Sequence, residues 1–125
     1  MKAILYLFAL SLLISCSSLR IMETNLYFGL SKPAGGMVSD AEWKDFKVNH
    51  IAKIFKEGYT IINVTGGWFD PDKKKLIEEP AYKVIYLYKK SSALSNQINS
   101  LREQYKILFQ QQAVLRIDKK VRASF

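Results

Sequence analysis

Tyr82-Lys83-Val84-Ile85-Tyr86-Leu87-Tyr88 decides the fold. In an extended chain successive side chains alternate sides, so Val84, Tyr86 and Tyr88 share one face and Ile85 and Leu87 share the other. A strand apolar on both faces sits centrally in a sheet and is covered on both sides. An extended Leu76–Glu79 segment precedes it, and Asp70-Pro71-Asp72-Lys73-Lys74-Lys75 reads as a turn. Before that turn, Tyr59-Thr60-Ile61-Ile62-Asn63-Val64-Thr65 is a strand that Gly66-Gly67-Trp68 interrupts.

Further out, two helices and two more strands complete the pattern. Ser39-Asp40-Ala41-Glu42 fits a capping box and opens a helix from about residue 40 to 55, with Trp43, Phe46, His50 and Ile54 on one face, Ile51 beside them, and Gly58 as its stop. A second helix spans about 93–110, capped by Ser91 or Ser92, with Leu94, Ile98, Leu101, Tyr105 and Leu108 as its apolar stripe. Asn25-Leu26-Tyr27-Phe28-Gly29-Leu30 is the first strand, ended by Lys32-Pro33-Ala34-Gly35-Gly36. The last strand runs over 114–125, with Leu115, Ile117, Val121, Ala123 and Phe125 on one side and Arg116, Asp118, Lys120 and Arg122 on the other. The order β-α-β-β-α-β predicts an α+β, ferredoxin-like domain: a four-stranded antiparallel sheet with two helices on one face. The helices cover one face only, so something else covers the second. A homodimer is the first expectation, because two-fold self-association is the commonest soluble assembly; an envelope protein partner, a ligand or the chain's own loops are the others.

The 125 residues carry 19 basic and 11 acidic side chains, a formal charge of +8, and are 49% hydrophobic. That describes one globular domain and excludes a disordered chain. The N-terminus reads Met1-Lys2, an apolar run from Ala3 to Ile14, then Ser15-Cys16-Ser17-Ser18, the parts of a secretory signal. The run is shorter than the ~20 residues of a membrane span. Leu13-Ile14-Ser15-Cys16 resembles the bacterial lipobox, which implies cleavage before Cys16 and a lipid (palmitate and diacylglycerol) on that residue. The resulting division is 1–15 lipoprotein signal peptide, 16–24 lipidated Cys16 and tether, and 25–125 a single domain. The expected location is the cell membrane or outer membrane, facing the periplasm, with the lipid as the membrane partner. Cys16 is the sole cysteine and His50 the sole histidine. Lipid on Cys16 leaves the domain no thiol for catalysis, and the two residues are too few for a structural zinc site. No cofactor and no metal is expected.

Leu26-Tyr27-Phe28-Gly29-Leu30, Gly35-Gly36, Val38-Ser39 with Glu42-Trp43, Gly66 with Trp68, and Ala113-Val114-Leu115-Arg116 resemble the domain of unknown function 3574, a bacterial family of small, often exported proteins. The resemblance covers about residues 25–125 and brings no established activity. Two departures stand out. Ile54 and Lys56 flank Phe55 where the family usually has arginine and proline, and Asn63-Val64 precedes Gly66-Gly67-Trp68 where it usually has Asp-Ala before Gly-Gln-Trp.

Chemistry-bearing residues fall into two readings. As a binding or interaction module, the chain would use Tyr27, Trp68, Tyr86 and Tyr88 on the helix-free sheet face, with Lys73, Lys74 and Lys75 as a basic surface. As a small cofactor-independent enzyme of the dimeric α+β barrel kind, it would use His50 as base and Arg116 to hold an anionic substrate, both lining one enclosed cavity. The binding reading is favoured, since no serine or carboxylate has a spacing that marks it as a partner of His50. Nucleotide and nucleic-acid binding lack support: there is no P-loop, no G-x-G-x-x-G and no RNP-type pattern.

Overall fold

The computed structural model describes residues 21–124. Strand β1 (Ile21–Gly29) lies between β3 (Lys75–Lys89) and β4 (Leu115–Val121), and β2 (Thr60–Asp70) pairs with the far side of β3, giving the order β2-β3-β1-β4 with every pair antiparallel. Helix α1 (residues 40–54) connects β1 to β2 and helix α2 (Ser92–Phe109) connects β3 to β4. The fold is the expected α+β, ferredoxin-like arrangement. The expectations for the leader and Cys16 fall outside the described residues; of the span expected as tether, residues 21–24 belong to β1 instead, because they pair with β3 on one side and β4 on the other.

Local chemistry sets the helix starts. Ser39 Oγ accepts the Glu42 amide at 3.2 Å while a Glu42 carboxylate oxygen accepts the Ser39 amide at 2.8 Å, a closed capping box. At α2, Ser91 Oγ accepts the Leu94 amide at 3.2 Å. That helix ends on Gln110 in the left-handed region at φ 57°.

Helix α1 departs from the expected phasing. It is α-helical over Asp40–Phe46, π-helical over Lys47–Ile51 and α-helical again over Ala52–Ile54. The Ala52 amide donates to the Lys47 carbonyl, five residues back. The wider turn absorbs one extra residue, so the buried face passes from Trp43 and Phe46 to Ile51 and Phe55 instead of His50 and Ile54. In α2, Phe109 takes the place expected of Leu108, which is 54% exposed, because Phe109 closes against Tyr105 and Phe46 at ring distances of 4.7 and 6.0 Å.

Gly66-Gly67-Trp68 does not interrupt β2. Six rungs from Thr65↔Pro80 to Asp70↔Lys75 extend the β2–β3 hairpin past the end of β1 at Gly29↔Ala81. Pro80 is tolerated there because its nitrogen faces the β1 side, where its carbonyl already accepts the Leu30 amide at 3.0 Å and no further rung follows. The result is a two-stranded arm projecting from a four-stranded body.

Under the helices, Phe28 sits at the centre of an aromatic core, with rings of Trp43, Phe46 and Tyr105 at 5.6, 5.7 and 4.8 Å. Tyr105 is fully buried and donates its hydroxyl to the Gly29 carbonyl at 2.8 Å. Burial therefore raises its pKa above the usual phenol value.

Candidate functional site: the open face of the sheet

Pairing register assigns each strand residue to a face. The even-numbered residues of β1, Met22 to Phe28, and Tyr82 to Tyr88 of β3 lie under the helices. This corrects two of the four expected contact residues. Tyr86 and Tyr88 are 4% and 5% exposed and belong to the core: Tyr86 stacks on Phe55 at 4.2 Å and on Tyr88 at 5.3 Å, and the Tyr88 hydroxyl meets Thr24 Oγ1 at 3.1 Å. Burial, ahead of the nearby Glu57, raises the Tyr86 pKa.

The helix-free face is built from Thr60, Ile62 and Val64 of β2, Lys83, Ile85 and Leu87 of β3, Glu23, Asn25 and Tyr27 of β1, and Leu115, Ile117 and Lys119 of β4. Ile62, Leu115 and Ile117 are 44%, 55% and 44% exposed. Tyr27 lies here as expected, with Lys83 Nζ over its ring at 5.6 Å. Trp68 is on the same side, out on the arm, where it walls a cleft with Pro33, Glu79 and Gln112.

Asn25 marks the centre of this face, between Ile85 and Ile117. It is 4% exposed, its Nδ2 donates to Glu23 Oε1 at 2.8 Å, and its Oδ1 is the one buried side-chain polar atom without a hydrogen-bond partner among the described residues. A flipped amide would set oxygen against carboxylate, so the orientation is fixed by chemistry. An orphaned buried acceptor costs about 1–3 kcal/mol. Glu23 in turn pairs with Lys119 at 3.1 Å, and the Asn25 amide and then Lys119 hold its carboxyl below the usual range. Sequence reasoning passed over Asn25; between Glu23-Thr24 and Leu26-Tyr27 nothing marks the amide, whose aliphatic neighbours Ile85 and Ile117 come from other strands.

His50 and Arg116 are not brought together. His50, displaced from the core by the π-turn, stacks on Phe46 at 4.9 Å, and its Nδ1 meets Gln104 Oε1 of α2 at 2.9 Å. Arg116 is 10% exposed and fully engaged: Nε with Asp118 at 2.9 Å, Nη1 with the Ser95 carbonyl and Asn99 Oδ1 at 3.1 and 2.9 Å, and Nη2 with Ser95 Oγ at 3.0 Å. It ties the edge strand to α2. The cleft it lines with Met22, Tyr88 and Lys90 does not include His50. The enzyme reading required one cavity holding both side chains, and the geometry does not supply it. Lys73, Lys74 and Lys75 sit at the tip of the arm. Among the described residues no three His, Cys, Asp or Glu side chains converge as metal ligands, and no helix is long and apolar enough to cross a membrane.

Fold and register define a ferredoxin-like α+β domain with one face of its sheet left open. The chain belongs to the family described as a protein of unknown function (DUF3574), whose model matches residues 23–125. No curated protein matches it in sequence. Among solved structures it is similar to a phage SAM lyase in complex with S-methyl-5'-thioadenosine, with a TM-score of 0.61 and 12% identity over 80% of this chain and 81% of that one. It is also similar to the B. subtilis GlnK–ATP complex (0.53, 12%, 82% and 83%) and to CutA from Synechococcus elongatus (0.51, 8%, 85% and 80%). At these identities the likeness is one of fold alone.

Proposed function

We propose that this chain is a lipid-anchored cell-envelope protein whose domain works as a binding module through the helix-free face of its sheet. The observation that carries the reading is the set of half-exposed aliphatic side chains, Ile62, Leu115 and Ile117, grouped around the buried Asn25 with its unsatisfied Oδ1. Residues that are structural satisfy their polar groups within the fold; an unmet acceptor at the middle of an apolar surface asks for a donor from outside. The occupant this chemistry fits is a second copy of the chain. Asn25 keeps one N–H beyond the bond to Glu23 and offers one free oxygen, so a two-fold axis through the centre of the face pairs amide with amide once packing turns the surrounding side chains. The Leu13-Ile14-Ser15-Cys16 segment supports the anchor, and through it the placement on a membrane facing the periplasm.

The test is photocrosslinking in intact cells with p-benzoylphenylalanine in place of Ile117. A product of twice the chain's mass is expected, with none from the same probe at Ile107, which is 77% exposed on α2. Absence of any product from the Ile117 position contradicts the reading. A product with a different protein keeps the binding module and removes the second copy.

A further inference from the structure

The β2–β3 arm carries a second surface, independent of the open face and of Cys16. Near its end Phe69 pairs with Leu76 and Trp68 with Ile77, and Trp68, Phe69 and Leu76 are 52%, 62% and 61% exposed. Three consecutive lysines, Lys73, Lys74 and Lys75, follow in the turn and first rung, and all are exposed. Two carboxylates share the turn. Asp70 is turned inward at 6% exposure, accepting the amides of Asp72 and Lys73 at 3.0 Å each, with Lys73 Nζ at 3.5 Å. Asp72 is exposed. Glu78 and Glu79 stand farther up the arm, ~10 Å or more from Lys75 at ~3.3 Å per residue, about one Debye length at ordinary salt.

Large apolar side chains that are more than half exposed on a two-stranded ribbon contribute little burial to the fold. Their combination with adjacent cations matches one environment well. At a bilayer surface, tryptophan and other apolar side chains take the headgroup–acyl boundary, and lysine stems let the ammonium reach lipid phosphates. We infer that the arm tip is a membrane-docking element, entering the headgroup layer of an anionic bilayer with Phe69, Leu76 and Trp68 while Lys73, Lys74 and Lys75 hold phosphates. The three rungs from Asp70 to Trp68 span ~7–10 Å of strand, the depth to which interfacial apolar groups enter. The tip lies at the end of β3 opposite Lys89, which pairs with Ile21 where the chain enters the domain. A lipid on Cys16 and a docked tip would thus hold the domain lengthwise along the surface.

Tryptophan fluorescence reads the tip directly, because Trp43 is 3% exposed in the core and Trp68 is half-exposed. The chain from Ser17 onward, which contains every described residue, is mixed with vesicles of 30 mol% phosphatidylglycerol in phosphatidylcholine. A blue shift and quenching by brominated acyl chains are expected on these vesicles and not on pure phosphatidylcholine. Affinity should fall at least tenfold in Phe69→Ser/Leu76→Ser. Each lysine contributes about fivefold, so Lys73→Gln/Lys74→Gln/Lys75→Gln should lose on the order of 100-fold, whereas Ile107→Ser should bind as wild type. No spectral change at millimolar anionic lipid, or binding that survives both sets of substitutions, overturns the inference. Either result leaves the anchor and the open face to their own tests.

Discussion

Glu42 shows how one side chain links local structure to solution behaviour. Lys32 Nζ at 2.8 Å, then the Ser39 amide and hydroxyl, hold its pKa at about 2 against an ordinary 4.5. A carboxyl whose folded pKa is depressed adds stability that is present above the unfolded value and is lost as pH falls through the folded one. The contribution should therefore fade between about pH 4.5 and 2. In Glu42→Gln the thermal midpoint should vary less with pH over that window than in wild type, as circular dichroism can follow; an unchanged slope would contradict the pairing. The core makes a larger prediction at Phe28, ringed by three aromatic side chains. Phe28→Ala should cost about 3–5 kcal/mol in urea unfolding, and a loss below ~1 kcal/mol would contradict the packing described. At this scale the sequence was legible wherever the chemistry is local. Ser39 and Glu42 announced their capping box through spacing alone, and Ser91 was one of two serines offered for the second cap. The faces of Tyr86 and Tyr88 were not legible, since β3 is apolar on both sides and only the arrival of Phe55 selects which side the helices cover.

Among the elements, helix α1 shows where periodicity stops being informative. A regular helix from Trp43 and Phe46 brings His50 and Ile54 to the core, yet Ile51 and Phe55 are the residues buried. The π-turn supplies the offset of one residue, and a hydrophobic pattern that fits two phasings cannot announce it. Deleting Val48, which is 58% exposed within that turn, should convert the segment to a plain α-helix with the core contacts in phase. A folded variant melting within several degrees of wild type is expected, and an unfolded one would contradict the rephasing. The arm was missed for a related reason. Glycines 66 and 67 look like a break in β2, yet they pair with Glu79 and Glu78 of β3, next to the Thr65–Pro80 rung, where β3 has no second neighbour. On edge strand β4 the sequence offers Arg116 to an anionic substrate, with Asp118 on the same side. They face α2 instead, where Ser95 and Asn99 receive the guanidinium. Arg116→Ala should destabilise the domain by about 1.5–3 kcal/mol, the usual worth of hydrogen bonds to a charged group, and urea unfolding would detect it.

For the whole molecule, two helices on one side of a sheet leave the other side to be accounted for. The order of elements was legible because turns and two helical periods are local signals, and two helices on one side of four strands already imply an uncovered face. What the sequence could not show is that the face is centred on an amide in want of a donor, since that depends on which side chains close over Asn25 in three strands at once. The anchor is a separate claim, tested by labelled palmitate: incorporation should disappear in Cys16→Ala, and the variant should leave the membrane fraction. A second copy of the chain is proposed to cover the open face. Sedimentation equilibrium of the chain from Ser17 onward measures this most directly. A dimer at micromolar concentration is expected, reverting to a folded monomer in Ile62→Lys/Ile117→Lys. A wild-type monomer persisting at ~100 µM, or a dimer untouched by those two lysines, would contradict it.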